Sequence, residues 1–333
     1  MRAANYEFVP LEGYENFEAT TQIIIREIVR RGLEFEVLDA DNNLLIVKYE
    51  GKEYTILEGT ISDANSIIAY WISNDKWMTR QFLKRAGVRQ ADGFLLNEKS
   101  ELQNITDFTR RYVVKPADTD HGIGVSVNIQ SSADLQQAVG AAFAHSKRVI
   151  VEEFFSGREY RFLVIEGKVR AIAYREPANV VGNGVDTVAQ LIDTKNANRG
   201  ADYRHPLLKI RVDDEVNRHL KAKKLQLDSI LQAEHKVFLR SNSNLSTGGD
   251  SIDVTDQMPE YYQRIAEKAA QAAGLNIAGI DIIIDDIEAE PSAEHYVVVE
   301  LNAPPMLSMH DYPHVGKNRQ VERYVLNAIL NSK

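Results

Sequence analysis

A mixed α/β and α+β fold is predicted by three features of this sequence. Helical and strand patterns alternate over residues 17–87, a hairpin signature spans 160–174, and two apolar strand patterns near the C-terminus each carry a carboxylate. Residues 17–32 have helical periodicity closed by Gly32, and residues 33–38 then alternate as a strand, beginning an α/β unit. Turns at 41–43 and 50–51 separate strands 44–48 and 52–57, so a meander follows. Residues 74–87 read as a helix with a polar start and a glycine end. The weakly periodic stretch 91–107 is expected to join the next domain, which makes residues 1–107 an α/β domain with its linker and residues 108–333 the other domain.

The second domain reads as strand 112–115, a Gly-containing loop 116–124, strand 125–129, helix 132–144 and strand 149–152. Apolar runs at 160–165 and 168–174 flank Glu166-Gly167 and make a hairpin. Residues 179–236 are polar and loop-rich, with one charged helical stretch near 213–224. Residues 259–273 form a helix, with Pro259 near its first turn and Gly274 at its end. Strands 279–284 and 296–301 close the core. No internal repeat or low-complexity tract is present.

The chain has 333 residues, with 39 Lys and Arg against 48 Asp and Glu, a formal charge of −9 that argues against a nucleic-acid stripe. At 44% hydrophobic and 26% charged it matches an ordinary globular protein of about two domains. The absence of cysteine excludes disulfides, a thiolate nucleophile, Cys-ligated zinc and iron–sulfur clusters, so any metal must sit on oxygen or nitrogen. The start lacks an apolar signal core and no apolar run approaches the roughly 18 residues of a membrane span. A cytoplasmic location is therefore expected.

Asp281, in Ala-Gly-Ile-Asp-Ile-Ile-Ile, and Glu300 with Asn302, in Val-Val-Val-Glu-Leu-Asn, stand where a core strand should be apolar. An ionised carboxylate there is costly unless it is paired or binds a cation. Glu300 and Asn302, two apart on a strand, share a face. With Asp281 they offer three hard oxygens suited to Mg²⁺; ion pairing with lysine or arginine is the alternative. Lys115 heads a loop containing Gly122 and Gly124, a combination suited to phosphate oxygens or to a plain hairpin connection. It is neither a Walker loop nor a dinucleotide fingerprint. Glu152-Glu153-Phe154-Phe155, followed by Glu159, suits a purine and its ribose, or else a solvated turn over buried phenylalanines. Arg240, followed by Asn242, Asn244 and Gly248-Gly249, resembles an anion-binding loop. His310 and His314 are four apart, but Pro313 argues against a helical zinc pair; with Lys317 and Arg319 they are expected to line an anionic substrate's pocket. Arg175 either meets a carboxylate or makes a surface salt bridge.

In chain order these signals resemble the ATP-grasp superfamily: a strand lysine, a flexible glycine loop, a Glu-Glu-aromatic hinge, Gly-x-Glu, then Asp and Glu-x-Asn on two late strands. The likeness is carried by EEFFSGREYRFLV (152–164), EPANVVGNGVDT (176–187), LRSNSNLSTGGDSIDVTD (239–256) and ELNAPPMLSMHDYPHVGKNR (300–319). Within the superfamily it is to the glutathione synthetase module of bacterial bifunctional enzymes and next to cyanophycin synthetase, over roughly residues 12–330. The resemblance implies the ATP-grasp fold, a preceding α/β domain followed by two α+β lobes clasping ATP, a first lobe 108–165 with the glycine loop and a second lobe 166–333 with the metal site. It implies that Lys76 and Lys115 contact phosphates while Gly122 and Gly124 let the loop close. Glu152, Glu153 and the backbone around Phe154 and Phe155 would face the adenine, and Glu159 the ribose. Asp281, Glu300 and Asn302 would hold Mg²⁺, as two ions sharing Glu300, with Mn²⁺ as the alternative metal. Arg240, beside Asn242, would neutralise the transferring phosphoryl group.

The implied activity is ATP-dependent ligation of a carboxylate to an amine through an acyl phosphate, with a γ-glutamyl peptide and glycine or a small amine as substrates. A ligase of the cyanophycin-synthetase type, an inactive nucleotide-binding regulatory module and a phosphotransferase are the alternatives. Nucleic acid and membrane are not expected as partners, and a homodimer is expected by analogy. Glu300→Gln or Asp281→Asn is expected to cut turnover by orders of magnitude with the fold intact. The fused glutamate–cysteine ligase module is not in this sequence, so γ-glutamylcysteine would come from elsewhere or the donor would differ. Pro304 stands where relatives usually carry a second asparagine, and Asp118 and Asp120 where they often have hydroxyl or amide residues.

Overall fold

The computed structural model describes residues 7–333 apart from 106, 120 and 121. Helix α1 (Ala19–Arg30) forms because Ile24, Ile25 and Ile28 share one face, all fully buried, and Gly32 ends it in the left-handed region at φ 66°. The antiparallel meander β1 (Glu34–Asp39), β2 (Leu44–Tyr49) and β3 (Lys52–Leu57) follows. Helix α2 (Ile67–Asn74) is capped by Ser66 and α3 (Lys76–Arg85) by Asp75, whose carboxylate accepts from the Met78 amide. The sequence reading anticipated α3 but not α2.

Strands β4 (Gly93–Leu96), β5 (Tyr112–Pro116), β6 (Ser126–Ile129) and β7 (Val149–Glu153) make an antiparallel sheet in the order β4-β7-β5-β6. Helix α4 (Ser132–Ala142) covers it, and Val114, Leu135, Val139 and Val151 form a core of its own. The hairpin β8 (Arg158–Ile165) and β9 (Lys168–Glu176) turns at Glu166-Gly167 as expected. The stretch read as loop-rich holds a small unit of β10 (Asn179–Val181), α5 (Val188–Asn196), α6 (Asp214–Ala222) and β11 (Lys236–Phe238), packed around Val180, Ile192, Val216 and Leu239. The chain then runs through β12 (Asp250–Asp253), α7 (Glu260–Ala272), β13 (Ile277–Ile284), β14 (Tyr296–Asn302), α8 (Ser308–Asp311) and α9 (Glu322–Leu330).

A five-stranded antiparallel sheet, β12-β9-β8-β13-β14, is the centre of the molecule. One face presents Tyr160, Phe162, Ile280 and Ile282 to α7, whose Ala266, Ala269 and Ala270 let the helix lie close. The other face changes character along β8. Glu159 and Arg161 are polar, whereas Leu163 and Ile165 beyond them pack with Ile24, Ile28 and Val325 of α1 and α9. Three features cross the expected boundaries. Strand β4, in the expected joint, belongs to the four-stranded sheet; α1 shares its core with β8; and the whole hairpin β8–β9 lies in the five-stranded sheet. Among the described residues, no helix is long and apolar enough to cross a membrane.

Because α1 is anchored by apolar contact to β8 and α9, Ile24→Ala is expected to lower stability by about 2–5 kcal/mol. Urea denaturation reads this; a loss below about 1 kcal/mol would show that α1 is not part of the common core.

Candidate active site

A cleft of about 2200 Å³ separates the four-stranded sheet from the polar face of the five-stranded sheet. Its floor is a row of charges fixed by strand register. Arg161 on β8 lies opposite Asp281 on β13, which lies opposite Glu300 on β14. Asn302 lies two residues beyond Glu300, opposite Gly279. Asp281 is only 2% exposed. Arg161 grips it with both nitrogens of its fork, Nε on Oδ1 and Nη2 on Oδ2 at 2.8 Å, and Arg175 Nη1 reaches Oδ2 at 3.0 Å. Burial pushes the Asp281 carboxyl up, but the two guanidinium groups outweigh it and hold the group below the usual aspartate range. Gly279 makes this possible, since a Cβ there would sit 2.8 Å from Arg161 Cδ.

The other expected groups are also cross-paired. Lys76, at the start of α3, donates to the Thr119 carbonyl in the glycine loop and pairs with Glu300 Oε1 at 3.0 Å. Lys115 Nζ sits 2.6 Å from Glu152 Oε1, while Arg80 Nη1 holds Oε2 at 3.1 Å. Glu159 pairs with Arg175 at 2.8 Å and accepts from Ser243 Oγ. Glu153 pairs loosely with Arg110 at 3.4 Å, and Arg111 covers the Phe154 ring with its guanidinium 4.6 Å from the centroid. Phe154 and Phe155 lie on the link between the two sheets and line the cleft. Arg240 is bound by Asp213 and Glu215 at the start of α6, and Asn242 faces Glu215 at 3.4 Å. Gly122 and Gly124 have φ of 76° and 73°, which a side chain would strain. Asp120 lies outside the described residues.

The four residues expected to line a substrate pocket do not converge. Arg175 is on the cleft floor, engaged by Glu159, Asp281 and Asn244. His310 is 2% exposed on α8 and does not line the cleft. Burial, followed by the nearby Arg161 charge, pushes its imidazole down to about 3, so it is a neutral core residue. Lys317 and Arg319 instead line a separate shallow depression, where Arg319 clamps Asp253 and Asp256 and Lys317 pairs with Asp256. The expectation of one pocket failed because α8 turns His310 inward and residues 315–319 cross to β12.

The sequence reading missed Arg161, Arg80, Asp213 and Glu215. Arg161 was legible by alternation, since it shares a strand face with Glu159, and a buried aspartate on a core strand demands a cation. Arg80 and Glu215 carry no local signal, because only tertiary packing brings them to Glu152 and Arg240.

With the geometry established, comparison with known proteins places the chain. A family model described as "D-ala D-ala ligase C-terminus" matches residues 82–236, and one described as "ATP-grasp-like domain" matches residues 15–68. The fold and cleft are those of the ATP-grasp fold, which the chain shares with the relatives it resembles. Within it, the chain is 36% identical over 335 residues to the glutathione biosynthesis bifunctional protein GshAB of Clostridium perfringens, covering 98% of this chain and 43% of the relative. It is 37% identical to the GshAB of Listeria innocua, over 96% of this chain and 42% of the relative. The crystal structure of a bifunctional glutathione synthetase from Pasteurella multocida superposes with a TM-score of 0.74 at 33% identity, over 96% of this chain and 44% of that one. The chain thus spans less than half the length of these relatives. The likeness to these relatives implies use of ATP and a divalent metal ion.

The residues were tested against such a metal by their free oxygens. Glu300 is partly exposed on the cleft floor and Asn302 adjoins it, so both fit a hard ion that takes its remaining ligands from phosphate and water. Asp281 has both oxygens committed to arginines, and among the described residues no three His, Asp or Glu side chains converge as a ready metal cage.

Asp281 and Glu300 should therefore differ as variants. Asp281→Asn removes the carboxylate between two buried guanidinium groups and is expected to lower stability by about 3–5 kcal/mol. Glu300→Gln breaks a partly exposed pair, with an expected cost within about 1 kcal/mol. Equal stabilities in urea titrations would refute the buried pairing, and the earlier expectation of an intact fold is revised for Asp281 alone.

A pH prediction follows from His310. Its folded pKa, about 3, lies below the ordinary histidine value near 6.5, so its contribution is complete above pH 6.5 and is lost as pH falls toward 3. Stability is expected to fall by up to about 1.4 kcal/mol per pH unit in that window, and His310→Gln should flatten the slope. An unchanged slope would place the titration elsewhere.

Proposed function

We propose that this chain is an ATP-dependent carboxylate–amine ligase of the glutathione synthetase type, joining the carboxylate of a γ-glutamyl peptide to glycine or a similar small amine. The observation that carries the reading is the Arg161–Asp281–Glu300 row on the floor of a cleft whose opposite wall supplies Lys115. That arrangement puts cations and hard oxygen donors around the place where a triphosphate and a carboxylate would meet.

A carboxylate resists attack because the incoming electrons add to an anion. Transfer of the γ-phosphoryl group of ATP to a carboxylate oxygen gives an acyl phosphate and ADP. The amine then attacks the carbonyl carbon, the C–O bond to phosphate breaks, and the amine proton leaves with solvent or phosphate. Such transfers need positioning and charge neutralisation rather than a protein nucleophile. In this chain Lys115 and Lys76 exchange Glu152 and Glu300 for phosphate oxygens, which frees Glu300. Arg240 and Arg175 bring positive charge to the transferring group, and Phe154 and Phe155 flank the purine. Glu300 and Asn302 would hold Mg²⁺, which supplies neutralisation of phosphate charge. A second ion sharing Glu300 would require Asp281 to release an arginine. Closure of the glycine loop excludes water from the acyl phosphate.

The test is incubation with Mg-ATP and a panel of carboxylates and amines, including γ-glutamylcysteine with glycine, following ADP, phosphate and product mass. ADP with an amide mass is the expected result. A stable phosphorylated product would indicate a phosphotransferase, and silence across a broad panel a regulatory module. Glu300→Gln should cut turnover by about 100-fold or more; unchanged turnover would remove Glu300 from the metal site.

A further inference from the structure

Arg199 follows α5, is buried, and does not line the cleft. Its Nη1 is shared among the carbonyls of Leu208 at 3.0 Å, Gly248 at 2.9 Å and Gly249 at 3.3 Å, and its Nη2 donates to Asp250 Oδ1. Asp250, the first residue of β12 and only 1% exposed, accepts on its other oxygen from Lys195 Nζ at 2.6 Å and from Asn179 Nδ2 at 2.9 Å. One side chain thus ties the small unit of α5 and α6 to the edge of the five-stranded sheet.

Gly248 and Gly249 close a loop whose residues 240–247 line the cleft. The turn is tightly enclosed, since a Cβ at 248 would sit 2.6 Å from Ile210 Cα and one at 249 would sit 2.9 Å from the Asn244 carbonyl oxygen. Within the loop, the Thr247 and Gly249 amides donate to the Asn244 carbonyl at 3.2 and 3.1 Å, and the Gly248 amide donates to that of Leu245 at 3.0 Å. Its side chains then engage the cleft charges: Ser243 donates to Glu159, and Asn244 Oδ1 accepts from Arg175 Nη2 at 2.8 Å. A buried ion pair such as Arg199–Asp250 is a poor source of stability, because apolar side chains of similar volume often serve as well. The guanidinium offers something else. Its planar fork reaches the carbonyls with one nitrogen and the carboxylate with another, whereas a lysine presents a single nitrogen.

We propose that Arg199 is a positioning residue for the reaction: held by Asp250, it fixes the Gly248–Gly249 turn and so the loop that orients Glu159 and Arg175 toward the reacting groups. The inference deepens the ligase reading, on which it rests for the reaction, but the clamp itself is a matter of backbone order. Nucleotide binding falls on that reading to Lys76, Lys115 and residues 152–155, which lie on other elements. Loss of the clamp therefore slows turnover and leaves nucleotide affinity in place.

Amide hydrogen exchange and steady-state kinetics with Mg-ATP, γ-glutamylcysteine and glycine test this. Arg199→Lys keeps a cation beside Asp250 and is expected to melt close to the wild type. Exchange at the Thr247, Gly248 and Gly249 amides should speed up by about 10-fold or more, with β8 and β13 unchanged. Its kcat should fall about 10- to 100-fold while KM for ATP stays within about twofold. Gly249→Ala, which displaces the same turn and leaves the buried charges in place, should repeat both effects. Lys195→Met removes the other cation from Asp250 but touches no loop carbonyl, so its loop exchange and kcat should stay within about threefold of the wild type. Unchanged loop exchange in Arg199→Lys and Gly249→Ala overturns the clamp whatever the activity. Faster exchange with unchanged kcat overturns the positioning role, as does an equal loss in Lys195→Met, which would report the charge on Asp250 alone. A wild type that forms no amide, with the exchange difference present, would sink the ligase reading and leave the clamp standing.

Discussion

Asp281 between Arg161 and Arg175 is the constraint around which the polar face of the five-stranded sheet is arranged. A carboxylate at the centre of a five-stranded sheet is tolerable only if its desolvation is offset by close, well-aligned cations. The register supplies them, placing Arg161 directly across from Asp281 and Arg175 on the next strand out. Gly279 has no side chain because the Arg161 stem occupies that space, and the small Ala173 lies opposite Arg161 on the other side. The other face of the same strands is spent on aromatic and aliphatic packing against α7, so the sheet is rigid exactly where the charges need a fixed floor.

That floor also explains the cross-pairing through most of the cleft. A site built to take a polyanion and a metal must carry both signs of charge at close quarters. Without those ligands the signs neutralise each other: Lys115 with Glu152, Lys76 with Glu300, Arg240 with Glu215. Binding is then an exchange of partners rather than the desolvation of bare charges, which keeps the cost of ordering low.

Much of this was legible in the sequence. The strands carrying Lys115, Glu152, Asp281 and Glu300 were placed by their apolar runs, and the hairpin by its Glu166-Gly167 turn. What failed had physical causes. Helix α2 exposes Ile67, Ile68 and Trp71, so its pattern gave no amphipathic stripe to read. Helix α5 sits in a polar stretch and buries only Val188 and Ile192. His310, Lys317 and Arg319 lie within ten residues of each other but face different environments, because a short helix and a turn redirect the chain between them. Two readings of Asp281, as a metal ligand or as an ion-pair partner, could not be separated by residue type. Strand register gives it arginine partners, and its neighbours Glu300 and Asn302 keep the accessible oxygens.

The same pairing pattern bears on movement. The four-stranded sheet has a core confined to residues 96–151, and the chain enters and leaves it only at residues 86–92 and 154–157. Among the described residues, its remaining ties to the molecule are polar. Arg148 holds Asp75, Arg80 holds Glu152 and the Ala91 carbonyl, and Lys76 holds the Ala117 and Thr119 carbonyls. An interface made of hydrogen bonds and ion pairs, with no shared apolar core, permits relative motion of the parts it joins. Helix α1, by contrast, is locked to the five-stranded sheet by Ile24, Ile28 and Leu163, and Thr20 Oγ1 accepts from the Leu307 amide at 3.3 Å. The start of α1 therefore belongs to the same packed body as the strand carrying Glu300, while Lys115 sits on the sheet whose ties to that body are polar. On the proposed reading, a nucleotide that drew the Lys76 ammonium onto its phosphates would break the tie to the Thr119 carbonyl between the two parts, while drawing Lys115 would release Glu152 within the four-stranded sheet, so loading the cleft would loosen the polar interface across which it closes.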